Sequence, residues 1–226
     1  MELGHAAVVR EGTDVTVVYR GDNILRGFDE DVRKHVRAEM EKAGITILTG
    51  CTVAKVDRHG DEYTSHLSDG ASVASDQVMF AIGRHPNVAN LGLETAGVAI
   101  NPRNGGIAVD DHSQSSAPHI YAVGDVTHRV NLTPVAIREG HAFADSVFGN
   151  RPTRVDHANI PTAVFSQPEV GTVGLTEAEA RAQYTHVDVY KAEFRPMKAT
   201  LSGRDTRILM KLIVDGISDR VLGCHI

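Results

Sequence analysis

The chain has 226 residues, of which 42% are hydrophobic and 23% are charged, and its formal net charge is −6. This composition is typical of a globular protein with one large domain or two small ones. The chain has no basic excess for binding nucleic acid or an anionic membrane, and no apolar run approaches the ~20 residues of a membrane-spanning helix. Because the N-terminal sequence MELGHAAVVREG also lacks the features of a secretion signal, we expect a cytoplasmic protein.

The two cysteines, Cys51 and Cys224, are far apart in the sequence. Neither belongs to a C-x-x-C pair, so each is predicted to be a small buried residue rather than a reactive thiol. The 12 histidines are scattered, with no H-x-x-x-H pattern and no cluster with cysteine. The sequence therefore predicts no metal site.

The first segment predicts a strand, a helix and a second strand. Residues 14–20 (DVTVVYR) are rich in β-branched side chains, which favours a strand. Asp29 is a suitable N-cap for the helix, Gly44 a suitable stop, and residues 45–48 the second strand. This order favours a parallel βαβ unit. The apolar face of the helix is predicted to contain Val32, Val36, Met40 and Ala43.

The end of the first predicted strand bears on nucleotide binding. In a dinucleotide-binding βαβ unit, an acidic residue at this tip hydrogen-bonds the ribose 2′-hydroxyl, whereas arginine accommodates a 2′-phosphate. Here the tip is Tyr19-Arg20-Gly21, and Arg26 follows in the next loop. Two guanidinium groups can flank one phosphate, although they can also be two solvated surface arginines.

The next segment predicts mostly β-structure. Residues 51–75 alternate polar and apolar side chains between turn signals, which predicts an antiparallel meander. Residues 78–82 predict a buried strand that ends at Gly83. The segment 91–117 is predicted to be rich in loops, with a short strand at residues 106–109.

Residues 120–140 (IYAVGDVTHRVNLTPVAIREG) carry the strongest signal for a binding site. A short apolar run predicts a buried strand that ends at Gly124-Asp125, and Thr133-Pro134 predicts a helix with Thr133 as its N-cap. In an open α/β sheet, ligands bind where such strand ends meet helix N-termini. Gly124 would let a ligand approach the backbone, and Asp125 offers a carboxylate to a hydroxyl. The alternative is an ordinary turn that contains an aspartate.

The remaining elements follow from periodicity and capping. The helix at Thr133 is predicted to continue to Phe148 and to bury Ala136, Gly140, Phe143 and Val147. Residues 163–165 and 170–173 predict short strands, and Thr176 with Glu179 forms a capping box for a short helix. Residues 187–194 alternate as a strand does. A hairpin is predicted between residues 208–214 and 221–226.

Three motifs in this order resemble the FAD-dependent pyridine nucleotide-disulfide oxidoreductases. They are Y-R-G-x-x-I-L-R-G-F-D at residues 19–29, A-I-G-R-H-P-N at residues 81–87, and Y-A-V-G-D followed by L-T-P-V-A at residues 121–136. The resemblance implies that Asp125, after Gly124, holds the ribityl chain of FAD. It also implies that Leu132 and Thr133 begin a helix against the flavin ring, where the helix dipole stabilises the reduced flavin.

The same resemblance implies an NADPH site. In the glutathione reductase branch of the family, the two arginines that correspond to Arg20 and Arg26 clamp the 2′-phosphate. The resemblance places Gly83 near the bound nicotinamide nucleotide, Val53 near the adenine, and the backbone of Ala163 near the nicotinamide amide. The structural alternatives are a turn glycine at Gly83 and core residues at Val53 and Ala163.

The implied fold class is α/β, with incomplete FAD- and NAD(P)-binding Rossmann-like domains followed by part of an α+β interface domain. The expected divisions are residues 1–88 for NADPH binding, 89–153 for FAD binding and 154–226 for the interface. No catalytic residue is assigned, because the redox C-x-x-x-x-C pair and the H-P-T motif are not in the sequence. His225 lies in no such motif. The resemblance therefore implies a fragment that lacks both ends of the family sequence.

The implied reaction passes electrons from NADPH to FAD, then to a cysteine pair and to glutathione disulfide, in a homodimer. This chain alone is predicted to be inactive. Other relatives with similar motifs are mycothione, trypanothione and mercuric reductases and dihydrolipoamide dehydrogenase, although Arg20 and Arg26 count against the last. His141 stands where a glutathione-binding arginine would be expected, which leaves the substrate open. The alternative from another class is a non-catalytic protein that binds nucleotide or dimerises.

Overall fold

The computed structural model describes residues 12–226. The chain divides into two compact units, one made of the described residues up to Ile82 with Asn159–Ile226, and the other of Gly83–Ala158. None of the helices in the described part is both long and apolar enough to cross a membrane.

The first unit contains most of the regular structure. Its strands are β1 (Thr16–Tyr19), β2 (Thr46–Thr49), β3 (Val53–His59), β4 (Glu62–Leu67), β5 (Ser72–Ser75), β6 (Thr162–Val164), β7 (Val170–Gly174), β8 (Val187–Phe194), β9 (Ile208–Asp215) and β10 (Val221–His225). Its helices are α1 (Glu30–Lys42), α3 (Glu177–Gln183) and α4 (Met197–Ser202). The second unit contains a short 3-10 helix at Gly124–Thr127 and the helix α2 (Thr133–Val147).

The predicted βαβ arrangement is confirmed. Strands β1 and β2 pair in parallel, and α1 lies between them in the sequence. The Asp29 carboxylate caps α1 by accepting a 3.0 Å hydrogen bond from the Asp31 N–H. Val32, Val36 and Met40 are buried as predicted, but Ala43 is exposed. Ala43 lies just beyond the last helical residue, so it does not continue the buried row.

The two predicted β-regions of this unit are also confirmed. Strands β3, β4 and β5 form the antiparallel meander, while β6-β7-β10-β9-β8 form a five-stranded antiparallel sheet that includes the predicted hairpin. The capping box of α3 is present, since Glu179 N–H donates to Thr176 and Thr176 N–H donates to Glu179. The helix α4 was not predicted.

One apolar core joins the two ends of the chain within this unit. Residues from the βαβ segment pack with residues from the five-stranded sheet, and this core is formed by Val17, Ile24, Val32, Val36, Met40, Ile45, Ile47, Val164, Val170 and Leu209. Because hydrophobic burial is the main favourable term in folding, each segment depends on the other for its stability.

A buried charge cluster joins the same segments. The ammonium group of Lys211, on β9, lies 2.8 Å from Asp29, 2.7 Å from Asp31 and 2.7 Å from Glu177. The side chains of Lys211 and Asp29 are 2% and 1% exposed. Burial alone would lower the pKa of Lys211, but the carboxylates outweigh it and raise that pKa above its ordinary value. We call these four residues the Lys211 cluster.

The predicted strand at residues 78–82 is wrong. This segment has no regular structure, and Met79, Phe80 and Ile82 are 72%, 60% and 78% exposed. A strand requires a neighbour to satisfy its backbone groups, and none of the described strands pairs with this segment. Residues 106–109 likewise form only isolated bridges, from Ile107 to Ile100 and from Val109 to Ser115.

The second unit has its own small core, formed by Val98, Ile107, Ala117 and Ala122. The predicted strand before Gly124 is reduced to a single bridge between Tyr121 and Gln114, although Ala122 is buried. Helix α2 begins at Thr133, but Leu132 is the N-cap residue, so the predicted capping by Thr133 is wrong.

The buried face of α2 also differs from the prediction. Its buried residues are Val135, Glu139 and Ala142, whereas Ala136, Gly140 and Phe143 are half-buried and Val147 is exposed. The buried row includes Glu139. Apolar periodicity alone predicts that a glutamate lies on the solvent-exposed face of a helix.

Candidate functional site

The backbone at Gly124 is closely surrounded in the second unit. Gly124 has a φ of +70°, and a Cβ placed there would lie 2.8 Å from the Cβ of Ala136 on α2. Its N–H donates a 2.6 Å hydrogen bond to the Glu139 carboxylate, and its carbonyl accepts one of 2.8 Å from the Thr127 hydroxyl. Both the backbone angle and the close contact favour glycine at this position.

Glu139 holds this turn from the buried side. Its side chain is 1% exposed, and its carboxylate lies 2.8 Å from the Arg129 guanidinium and 2.7 Å from the His157 ring. Together with the Gly124 N–H, these groups satisfy the buried carboxylate. We call these four residues the Glu139 cluster. Sequence reasoning missed Glu139, although Val135 and Ala142 flank it at helical spacing.

The exposed carboxylate of Asp125 lines a cleft in the second unit. The cleft has a volume of about 370 Å³, and its other lining residues are Arg84, His85, Pro86, Asn87, Val126 and Asn131. Asn131 directly precedes Leu132, the N-cap residue of α2. The cleft therefore brings the acid together with the residue that precedes the N-cap of α2. Leu132, which is half-buried, and Thr133, which is exposed, are not among the lining residues.

The loop that contains Arg20 and Arg26 lies in the first unit. Both arginines are exposed, and the loop connects β1 to α1. Arg33 on α1 holds its backbone by donating hydrogen bonds of 2.7 Å to the Asn23 carbonyl and 2.8 Å to the Ile24 carbonyl. Sequence reasoning missed Arg33, because an arginine on a helix usually belongs to its solvated face.

The remaining predicted residues lie on separate elements. Val53 is half-buried at the start of β3, so it is not a fully buried core residue. Gly83 is exposed with a φ of +118° and directly precedes the cleft residue Arg84. Ala163 is exposed on β6, so the alternative of a core alanine is wrong. The binding roles of all three residues stay predictions.

Residues 1–140 match the family described as Pyridine nucleotide-disulphide oxidoreductase, and residues 160–226 match its dimerisation domain. The chain belongs to this family. The predicted resemblance is thus confirmed, together with the α/β fold class. FAD and NADPH are the cofactors that the family uses.

Proteins similar in sequence to this chain include two bacterial glutathione reductases. That of Burkholderia cepacia is 51% identical over 95% of this chain and 48% of its own length. That of Nostoc sp. is 47% identical over 95% of this chain and 50% of its own length. The trypanothione reductase of Trypanosoma congolense is 40% identical over 95% of this chain and 44% of its own length. The chain spans about half the length of the curated relatives it matches.

A solved structure with a similar fold is the HOCl-induced flavoprotein disulfide reductase RclA of Escherichia coli. It aligns with a TM-score of 0.87 and 29% identity, over 95% of this chain and 49% of that chain. The fold of this chain therefore resembles the aligned half of a flavoprotein disulfide reductase.

The second unit contains polar atoms that suit a bound cofactor. Within residues 12–226, three buried atoms lack a hydrogen-bond partner, and they are His128 Nδ1, Arg129 Nε and Asn131 Oδ1. Asn131 also lines the Asp125 cleft. Buried polar groups without partners are unfavourable, and of these three residues Asn131 is the one whose side chain a polar ligand in the cleft would meet. The residues present fit the polar part of a flavin cofactor.

The two cysteines and His225 lie in packed surroundings in the part of the chain that the structure describes. Cys51 is buried and Cys224 half-buried, and both are free. Burial, together with the charge of Asp69, raises the pKa of the Cys51 thiol, which lowers its reactivity. His225 is 1% exposed and contacts Thr172 and the Leu175 carbonyl. Among the described residues, no group of three potential ligands could hold a metal ion.

Proposed function

We propose that this chain carries flavin- and NADPH-binding parts of an NADPH-dependent flavoprotein disulfide reductase that acts on glutathione disulfide. The observation that carries the proposal is the Asp125 cleft beside a glycine turn that Glu139 holds from inside. The identities of 51% and 47% to glutathione reductases support the choice of substrate.

The FAD-binding residues of the proposal are Gly124, Asp125, Leu132 and Thr133. The Asp125 carboxylate would accept hydrogen bonds from ribityl hydroxyls, and Gly124 would allow the chain of the cofactor to approach the backbone. The N-terminus of α2 at Leu132 and Thr133 would favour negative charge on the flavin ring. Bound FAD supplies two-electron transfer between a nicotinamide and a disulfide.

The NADPH-binding residues of the proposal are Arg20, Arg26, Val53, Gly83 and Ala163. The two arginines would bind the 2′-phosphate through charge-assisted hydrogen bonds. Val53 would contact the adenine, Gly83 the nicotinamide nucleotide, and the Ala163 backbone the nicotinamide amide. Of these five residues, only the two arginines would distinguish NADPH from NADH, because only they would contact the 2′-phosphate.

We further propose that the protein is a cytoplasmic homodimer with domains at residues 1–88, 89–153 and 154–226. The match of residues 160–226 to the dimerisation domain supports the last division. A trypanothione reductase activity is the second candidate, because the trypanothione reductase of Leishmania donovani is 42% identical and His141 stands where a glutathione-binding arginine is expected.

The test of the flavin site is the quenching of FAD fluorescence by the purified chain. We expect Asp125→Asn to weaken binding by about tenfold or more, as removal of a hydrogen bond to a charged group does. The control is Asp111→Asn, which removes one charge from an exposed pair with Arg154 in the same unit. Equal affinity for FAD in Asp125→Asn and the unmodified chain would refute the assigned site.

A turnover assay tests the predicted inactivity of this chain, and FAD binding separates the proposal from the non-catalytic alternative. The chain alone is expected to bind FAD without oxidising NADPH when glutathione disulfide is added, because its cysteines are not a redox pair. Oxidation of NADPH, followed by its absorbance, would contradict the predicted inactivity. Absence of FAD binding would instead favour the non-catalytic alternative.

A further inference from the structure

The loop between β1 and α1 contains acceptor groups as well as its two arginines. Asp22 lies between Arg20 and Arg26, and its side chain is 90% exposed. A carboxylate repels a phosphate, whereas it accepts a hydrogen bond from the ribose 2′-hydroxyl of a nucleotide without the phosphate. An unpaired Asp22 would therefore oppose the selection of a 2′-phosphate.

Arg33 pairs with this carboxylate. One guanidinium nitrogen lies 3.2 Å from Asp22 Oδ1, and the same oxygen accepts a 2.8 Å hydrogen bond from the Asn23 N–H. These contacts with Arg33 and the Asn23 N–H hold the pKa of Asp22 below its usual value. The carboxylate therefore stays charged, and Arg33 supplies its counter-charge.

Arg33 also donates hydrogen bonds to two carbonyl groups of the loop. Its guanidinium donates to the carbonyl oxygens of Asn23 and Ile24, and a further guanidinium nitrogen lies 2.7 Å from the Glu30 carboxylate. Only 13% of the Arg33 side chain is exposed, so the guanidinium lies beneath the loop rather than in solvent. A planar guanidinium with five donors can satisfy these four acceptors at once, whereas a lysine ammonium has only three donors.

We propose that Arg33 is a positioning residue that determines the preference of this loop for a 2′-phosphate over a 2′-hydroxyl. It does so by pairing Asp22 and the two loop carbonyls, so that the carboxylate beside Arg20 and Arg26, the proposed phosphate-binding residues, has its charge compensated. This inference rests on the proposed NADPH site, and it adds a residue that contacts the loop but not the phosphate.

The test compares two small probes on the full chain by calorimetry. These are 2′,5′-ADP, which carries the 2′-phosphate, and 5′-AMP, which carries the hydroxyl. We expect Arg33→Met to lower the ratio of their affinities by about fivefold, the effect of one exposed charge pair. Arg33→Gln, which keeps two donors but no charge, is expected to lower the ratio as well.

Two further variants separate charge from loop shape. Adding Asp22→Asn to Arg33→Met is expected to restore most of the ratio, because the uncompensated carboxylate is then removed. Arg37→Met is the matched control. It removes the same charge from the same helix, but within residues 12–226 its guanidinium pairs only with Glu41, at 2.9 Å. We expect its ratio to equal that of the unmodified chain.

Each other result has a definite meaning. If Arg33→Met weakens both probes equally, Arg33 has only a structural role and the inference is wrong. An unchanged ratio, or a double variant without recovery, also overturns it. If the unmodified chain shows no preference for 2′,5′-ADP, the proposed NADPH site fails, and the inference fails with it. A preference that the Arg33 variants keep overturns the inference alone.

Discussion

Each unit of this protein contains a cluster built around a buried charge, and the central charges of the two clusters have opposite sign. The Lys211 cluster surrounds a cation with carboxylates from α1 and α3, which are far from β9 in the sequence. The Glu139 cluster surrounds an anion with donors from nearby loops, one of which is the backbone of the candidate flavin turn. The first arrangement therefore joins distant segments, whereas the second positions a local site.

The largest expected effect follows from removing the cation. Lys211→Met leaves Asp29 buried without its counter-charge, and breaking one partner of a buried pair costs about 3–5 kcal/mol. We expect a loss of this size in the free energy of unfolding, measured by urea denaturation with circular dichroism. The control is Lys191→Met, since Lys191 is half exposed and pairs with Asp31 at 3.2 Å. A loss below about 1 kcal/mol for Lys211→Met would make its cluster no stronger than a surface pair.

The same cluster predicts acid sensitivity. Burial alone would raise the pKa of Asp29 and of Asp31. Hydrogen bonds from the Glu177 N–H and from Lys211 hold the pKa of Asp29 below the ordinary 3.8, and hydrogen bonds from Lys211 and Lys191 do the same for Asp31. Carboxyl groups with lowered pKa values in the folded state stabilise it above their unfolded pKa, and this contribution is lost as the pH falls through the folded pKa. The urea concentration at the unfolding midpoint should therefore decrease as the pH is lowered below about 4.5. In Lys211→Met this pH dependence should be much smaller. An equal pH dependence in the variant would show that the Lys211 cluster is not the source of the acid sensitivity.

Removing the anion should have a smaller and more local effect. Glu139→Gln leaves Arg129 without its buried counter-charge and weakens the acceptor of the Gly124 N–H, at a cost of about 1–3 kcal/mol. We expect faster hydrogen exchange at the Gly124 amide and weaker FAD binding. Glu94→Gln, at an exposed position of the same unit, serves as the control. Unchanged protection of the Gly124 amide would show that Glu139 does not hold the turn.

The smallest expected effect concerns Gly140, which lies within α2, and it is best compared with the effect at Gly124 beside that helix. Gly124→Ala would place a Cβ 2.8 Å from Ala136 at a φ of +70°, which should destabilise the protein by about 1–3 kcal/mol. Gly140→Ala has open space within 4 Å and lies inside the helix, so it should stabilise the protein by about 0.5–1 kcal/mol. Thermal unfolding of both variants measures this difference in sign, and equal shifts would contradict it.

The sequence predicted elements whose signals are local. The N-cap Asp29, the capping box of Thr176 and Glu179 and the meander at residues 51–75 depend on neighbours a few residues away, and all three are confirmed. The strand at residues 78–82 was wrong because pairing depends on distant strands.

The buried charges were missed for a related reason. Glu139, Lys211 and Arg33 are hydrophilic residues, and their partners cannot be identified from spacing. A binding site at Asp125 beside the start of α2 was predicted because strand ends and helix starts converge in this fold class, and the cleft contains Asp125 but neither Leu132 nor Thr133.

The hydrogen bond from Gly124 to Glu139 also bears on the entropy of binding. This bond fixes the turn during folding, with the Thr127 hydroxyl held to the same residue. A ligand that enters the Asp125 cleft therefore meets a backbone whose conformational freedom is already lost. The entropy of ordering that turn is not subtracted from the affinity, so the cleft is preorganised for its ligand.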